Sequence, residues 1–283
     1  MKIVVASGKG GTGKSTVSAN LAYSIVDIQP VTLVDCDVEV PNLHLFFNTE
    51  PESRKVFTTI PEVDYGLCTF CGECGKFCRY GAITVLKDRV LIFEKMCHAC
   101  GGCMIVCPEK AISECNYDVG RVEESTPLPS LRLISGFLKE GEVLAPKVIR
   151  DAKDASKGDS LVIIDSSPGI ACPVIEAMDD ADFCILVTES TPFGLHDLDL
   201  AVGVTKSLGL KAGVVINRSD GSDEDVREYC RKMDLPILLT IPFEKEIASV
   251  QNRGELISEK IPGWKEKFAG IYQECLDLCE VSK

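Results

Sequence analysis

The chain has 283 residues, with 43 acidic against 30 basic side chains and a formal net charge of −13. A surface this acidic repels nucleic acid and anionic membrane over most of its area, which excludes a general affinity for either. Its 15 cysteines exceed ordinary use in a reducing compartment, and the crowding of eight of them into residues 68–107 points to metal rather than to a disulfide scaffold.

The chain enters at once an apolar strand, Ile3-Val4-Val5-Ala6, with no charged leader or apolar signal core, and no stretch reaches membrane-spanning length. A cytoplasmic location is the expectation. Next comes Gly8-Lys9-Gly10-Gly11-Thr12-Gly13-Lys14-Ser15-Thr16, leading into a helical pattern from Ser15 to Ile28. Strand, glycine loop and helix is the context of a phosphate site: glycines let successive backbone N–H groups converge on an anion, and the helix adds its own unpaired N–H groups. The pattern predicts ATP or ADP here, with Lys14 reaching the β- and γ-phosphates and Ser15 ligating magnesium.

The order Gly-Lys-Gly-Gly-Thr-Gly-Lys-Ser resembles the deviant phosphate loop of the MinD, ParA and nitrogenase iron protein family. The resemblance implies that Lys9 crosses a dimer interface to the partner's nucleotide, and so an ATP-bound homodimer. The strand Val31-Thr32-Leu33-Val34 then ends at Asp35-Cys36-Asp37, at the edge where open α/β sheets place their ligands. In the resembled family an aspartate of this segment orients or activates the water that attacks the γ-phosphate; Asp37 is the closest match and Asp35 the fallback. Read from the residues alone, two aspartates capping a strand-to-loop turn stays an alternative.

From about Lys55 the α/β rhythm stops until about Cys115. Cys68-x-x-Cys71-x-x-Cys74-x-x-x-Cys78 is followed by Cys97-x-x-Cys100-x-x-Cys103-x-x-x-Cys107-Pro108, the bacterial ferredoxin run written twice. In that run three cysteines curl around one cubane and the fourth crosses to the other. Cys68, Cys71, Cys74 and Cys107 are thereby assigned to one 4Fe-4S cluster, and Cys97, Cys100, Cys103 and Cys78 to a second. Zinc, the competing metal, usually shows paired CxxC elements separated by a longer loop. Arg79 stands where the second copy has Pro108, so the two cluster potentials are not expected to match. His98 reads as a loop residue near the sulfurs, since the thiolate set is already complete.

Beyond the insert, Arg121 to Leu138 alternates as a strand and Ala145 to Ala155 reads as a helix. Leu161-Val162-Ile163-Ile164 runs into Asp165-Ser166-Ser167-Pro168-Gly169, which looks like the Walker B and second switch segment of the same family. The resemblance implies magnesium on Asp165, through a water, and a γ-phosphate-sensing hinge at Gly169. Cys172 follows at the spacing of a dimer-bridging cluster cysteine, but the second cysteine that such a cluster needs is missing between Asn116 and Gly158. Cys36, Cys184, Cys230, Cys275 and Cys279 lie on apolar patterns and read as core. Further strands are expected at Phe183–Val187, Ala212–Ile216 and Pro236–Ile241, with helices at Leu195–Ser207, Glu244–Asn252 and Trp264–Cys279. By resemblance, Asn217, followed by Arg218, reads the adenine edge, and Pro242-Phe243 line the base. On the last helix Phe268, Ile271, Tyr272, Cys275 and Leu278 form a stripe opposite a face of mixed charge, which reads as core packing rather than a membrane anchor.

The resemblance covers nearly the whole chain. It implies an α/β fold: a mostly parallel P-loop sheet with helices on both faces, formed by residues 1–60 and 115–283, and an inserted two-cluster ferredoxin domain over 61–114. The function it implies is magnesium-dependent ATP hydrolysis in a nucleotide-switched homodimer, coupled to electron transfer through two 4Fe-4S clusters to a protein acceptor. The alternatives are an Mrp- or CooC-like ATPase that delivers a cluster or metal to a client, and a redox-sensing positioning ATPase of the MinD or ParA kind. Two complete four-cysteine sets favour electron transfer, and no nucleic-acid partner or stable membrane anchor is expected.

Overall fold

The computed structural model describes residues 1–47 and 49–280. In chain order its elements begin with strand β1 (Lys2–Ala6), helix α1 (Lys14–Ile25), β2 (Val31–Cys36) and β3 (Glu52–Val63). A small unit follows, made of α2 (Glu73–Phe77), β4 (Ile83–Val85), β5 (Val90–Ile92) and α3 (Gly102–Ile105). The chain returns through β6 (Ile112–Leu128), β7 (Leu131–Leu138), α4 (Ala145–Ala155), β8 (Val162–Ser166), α5 (Cys172–Met178), β9 (Phe183–Glu189) and α6 (Pro192–Ser207). It ends with β10 (Lys211–Ser219), α7 (Glu224–Met233), β11 (Ile237–Pro242), α8 (Lys245–Asn252), α9 (Ile257–Lys260) and α10 (Trp264–Glu280).

Among the described residues one nine-stranded sheet has the order β11-β10-β9-β1-β8-β2-β7-β6-β3. From β11 to β7 neighbouring strands are parallel; β7, β6 and β3 pair antiparallel. The parallel strands are apolar on both faces because helices cover both. Ile3, Val5, Leu33 and Ile163 pack under α1, α8, α9 and α10. Val4, Ala6, Val34 and Ile164 face α4, α5, α6 and α7.

Helix α1 lies between the sheet and α10 and is buried nearly all round. On α10, Phe268, Ile271 and Cys275 are fully buried, so the apolar stripe faces the core. The stretch from Arg121 to Leu138 is not one strand. Pro129-Ser130 breaks it into the β6–β7 hairpin, because proline has no N–H to continue the ladder. β3 and β6 form a ribbon in register from Glu52↔Glu124 to Val63↔Ile112, with one irregularity at Val56/Phe57. The β3 half of that ribbon starts with four exposed polar residues, Glu52 to Lys55, so it lacks the apolar signature of a sheet strand.

Between the ribbon's tips sits the small unit, built as two matched halves. Phe70 and Ala99 both take positive φ (57° and 51°) one residue before a cysteine, and Gly72 and Gly101 do so one residue after it (84° and 69°). Gly81 and Lys110 repeat the match three residues beyond Cys78 and Cys107, at φ 64° and 51°. Its core is Cys74, Ile83, Val90, Cys103 and Ile112.

Truncating Phe268, a large and fully buried side chain, leaves a cavity between α10 and α1. Phe268→Ala should cost about 3–5 kcal/mol of stability, read as a lowered urea midpoint of the whole chain. A membrane-anchoring role for α10 would leave that midpoint unchanged.

Candidate functional site

The loop between β1 and α1 is forced into shape by its glycines. Gly11 and Gly13 have φ of 79° and 95°, a region open to glycine at little cost. A Cβ on Gly13 would stand 2.2 Å from Asn217 Nδ2, and one on Gly8 2.1 Å from the Asp197 carbonyl oxygen. Gly10, Gly11, Gly13, Lys14, Ser15 and Thr16 line a cavity of about 340 Å³ together with Asp37, Asn42, Phe46 and Pro168. Burial depresses the pKa of the Lys14 ammonium, while Asp165, Asp37 and Asp35 act to raise it. Lysine, hydroxyls and converging N–H groups at a helix N-terminus form a cradle for a polyphosphate.

The two aspartates of β2 have different surroundings. Asp35 is fully buried and accepts N–H bonds from Asp37 (3.1 Å), Asn42 (2.9 Å) and Leu43 (2.9 Å), so its carboxylate folds the loop that follows. Asp37 reaches the cavity, its pKa raised by burial and lowered by Lys14. Asp165 sits at the end of β8, in register with Asp35, and is also fully buried. Ser18 Oγ donates to its Oδ1 (2.9 Å). Burial raises its pKa to about 6, while Ser15, Lys14 and Ser18 pull it down.

Three buried polar atoms have no partner among the described residues: Asp165 Oδ2, Thr12 Oγ1 and Asn42 Oδ1. Thr12 belongs to the cradle, Asn42 lines its cavity, and Asp165 lies beside Ser15 and Lys14. Buried polar groups go unpaired rarely, and these fit a phosphate donor and a magnesium ligand. Asn42 was invisible in the sequence, since nothing in a Pro-Asn-Leu tripeptide says which way the amide turns.

Lys9 lies outside that cavity. Its ammonium pairs with Glu189 (3.3 Å), whose other oxygen takes Arg218 (2.7 Å). Glu189 ends β9, far from Lys9 in sequence, and no spacing pointed to it. Asn217 is almost fully buried and ties the loop down: Nδ2 donates to the Thr12 carbonyl (2.7 Å), and Oδ1 accepts from Arg218 N (2.9 Å). Asn217, Arg218, Pro242 and Phe243 together line a second cavity of about 220 Å³, and Gln251 borders both cavities. Gly169, at φ 98°, donates its N–H to the Ser7 carbonyl (3.0 Å), linking the segment after β8 to the glycine loop.

In the small unit Cys68, Cys71, Cys74 and Cys107 line one cavity; Cys78, Cys97, Cys100 and Cys103 line another, of about 270 Å³. Ala82 N–H donates to Cys78 Sγ and Ala111 N–H to Cys107 Sγ, each at 3.3 Å. Such N–H groups stabilise a thiolate, whereas burial raises the pKa of Cys74, Cys97 and Cys103. The sulfurs border cavities instead of meeting at a point, and no three His, Cys, Asp or Glu side chains among the described residues form a group that could hold a metal ion. Arg79 lines the larger cavity, and His98 stacks on Tyr80 with ring centroids 3.7 Å apart. Elsewhere Cys36, Cys184, Cys230 and Cys275 are buried, Cys172 is exposed, and Cys279, near the end of α10, is half-buried and packed against the core.

A carboxyl whose folded pKa lies above its unfolded value is destabilising at pH 7, where the folded state must hold it ionised. Asp165→Asn should therefore stabilise the nucleotide-free chain by roughly 1–3 kcal/mol at pH 7 by denaturant titration, while removing magnesium-dependent nucleotide hydrolysis. Unchanged hydrolysis would exclude Asp165 from the metal site.

Residues 3–257 match the model of the CobQ/CobB/MinD/ParA nucleotide binding domain. Two uncharacterized proteins of Methanocaldococcus jannaschii are similar over nearly full length. MJ0579 is 31% identical across 90% of each chain, and MJ0578 is 32% identical across 97% of this chain and 96% of its own. Among solved structures, the septum site-determining protein MinD of Pyrococcus horikoshii, complexed with Mg-ADP, superposes with a TM-score of 0.61 at 21% identity, covering 100% of this chain and 98% of its own. The chain therefore belongs to the CobQ/CobB/MinD/ParA nucleotide-binding family, whose MinD and ParA members are ATPases.

Proposed function

We propose that this protein is an ATP-switched homodimer that passes electrons through two 4Fe-4S clusters to a protein acceptor. The observation that carries the reading is the pair of cysteine quartets, each lining its own cavity and each taking its fourth cysteine from the other half, on a ribbon continuous with the nucleotide-binding sheet. Bound there, the clusters would supply one-electron chemistry at low potential. Val63, Val85, Val90 and Ile112 exclude water from the first cavity, and backbone N–H groups stabilise thiolate charge in both.

At the sheet edge Lys14 and the loop N–H groups would hold the phosphates, Ser15 and Asp165 the magnesium, and Asp37 would orient the attacking water. Asp37 has a route to the ribbon. The next residue, Val38, accepts the N–H of Leu138 at 2.8 Å, Lys139 N–H bonds the Val119 carbonyl at 3.0 Å, and Tyr117 OH donates to Glu142 at 2.7 Å. A shift of the Asp37 loop on hydrolysis thus bears on the ribbon that holds the cysteines, as nucleotide-ordered switch segments do. Delivery of a cluster to a client is the weaker reading, because it requires a labile, under-coordinated site and both quartets are complete. Exposed Cys172 stands alone at the start of α5. A redox-sensing positioning ATPase of the MinD or ParA kind is the other reading that the family membership supports, though the apolar stripe of α10 is packed inward and so would not serve it as a membrane anchor.

Protein purified without oxygen should be brown and carry about eight irons per chain, four per cubane. Its EPR spectrum in the reduced state should differ between ADP and a non-hydrolysable ATP analogue. After reduction by dithionite and removal of the excess, added ATP should let the protein reduce a dye acceptor while iron stays bound; iron leaving for a chelator would favour delivery, and a zinc-loaded colourless protein would overturn the reading.

The Lys9–Glu189 pair holds Lys9 on its own chain. Glu189→Gln should free it and tighten ATP-dependent dimerisation about five-fold by analytical ultracentrifugation, the size of a partly exposed ion pair, and Lys9→Ala should cancel the gain.

A further inference from the structure

The two halves of the small unit are matched in backbone. Each has the same pattern of positive φ, one 3.3 Å N–H···S bond to its crossing cysteine, and the same sequence of half-buried, exposed, buried and half-buried cysteines. Ligands alone would therefore give two clusters of equal potential. The cavity walls break the match. The walls around Cys78, Cys97, Cys100 and Cys103 include Arg79, Glu114, His98, Tyr80 and Thr59. Around Cys68, Cys71, Cys74 and Cys107 the one charged wall residue is Glu109, amid Val63, Val85 and Val90. Even with Glu114 counted against Arg79, the first wall is one charge more positive.

We propose that Arg79 sets the order of the two potentials and makes the Cys78, Cys97, Cys100 and Cys103 site the place where a single electron on the chain settles. The inference rests on the iron–sulfur reading above. Reduction adds one negative charge to a cluster already surrounded by four thiolates, so a nearby guanidinium favours the reduced form and a nearby carboxylate opposes it. Arginine keeps its charge at any accessible pH, so the bias is permanent. An external one-electron donor of low potential supplies the electron. With both clusters bound, an electron received at the Glu109 site would settle at the Arg79 site, which would gain the charge that the first gives up, with no proton moved. Arg79 also departs from the internal repeat, since Pro108 occupies its place in the other half.

The test is a mediated redox titration of the full chain, purified anaerobically and poised with dithionite, followed by EPR. Wild type should show two one-electron waves. Arg79→Gln should lower only the upper wave, cutting the reduced-to-oxidised ratio at fixed potential about ten-fold, which is about 59 mV for one electron. Arg79→Lys should keep the separation, and Glu109→Gln should raise only the lower wave. Coincident waves in wild type, movement of the lower wave by Arg79→Gln, or no movement of either would overturn the assignment. Iron and labile sulfide are counted first: wild type without them sinks the iron–sulfur reading itself, whereas a full complement with unmoved waves sinks the role of Arg79 alone. If Arg79→Gln loses iron, Arg79→Met carries the same comparison.

Discussion

Two carboxylates, Asp35 and Asp165, sit side by side in register on neighbouring strands with no solvent at either. Like charges buried together are costly, and both groups are pushed toward the protonated form by burial. The neighbourhood is arranged around that cost. Asp35 is offset by three backbone N–H groups, which folds the segment from Asp37 to Leu43. Asp165 is offset by Ser18 and by the nearby Lys14 and Ser15, and keeps one oxygen without a partner among the described residues. One aspartate is thus used up by the fold, and the other is not.

The rest of the sheet edge follows from the same burial. Gly13 must lack a side chain because Asn217 approaches it to anchor the loop, and Gly8 because the backbone of α6 passes close by. These contacts fix the cradle before any ligand arrives, so little ordering remains for binding to do. The antiparallel side of the sheet serves another purpose. β7 touches the Asp37 segment through Val38 and Leu138, and β6 carries that contact outward to the cysteine-bearing unit.

What could be read from the chain alone was local. The glycine loop, the apolar strands from β8 to β11 and the spacing of the cysteines each declare themselves within a dozen residues. The ribbon did not, because Glu52 to Lys55 face solvent and the buried positions of its strands, such as Val56, Thr58, Val119 and Val122, are too few and too mixed with polar residues to leave an apolar rhythm. Arg121 to Leu138 reads as one strand because β6 and β7 both alternate there and only Pro129-Ser130 separates them. Asn217 is visible in the sequence as a polar residue near a strand end, but its bond to Thr12, 205 residues away, is not. Glu189 and Asn42 escaped for the same reason: their roles come from tertiary neighbours, not from residues beside them.

The ribbon's two strands stay paired residue for residue as far as Val63 and Ile112, where the cysteine-bearing segment leaves and returns at adjacent points. A segment whose ends meet in this way is topologically a long hairpin loop. A short turn could replace residues 64–111 without opening a seam in the sheet, leaving the phosphate cradle, both aspartates and every helix of the core in place. The cysteine-bearing unit is thus an attachment hung from the nucleotide-binding sheet, entered and left through one pair of strands at its edge.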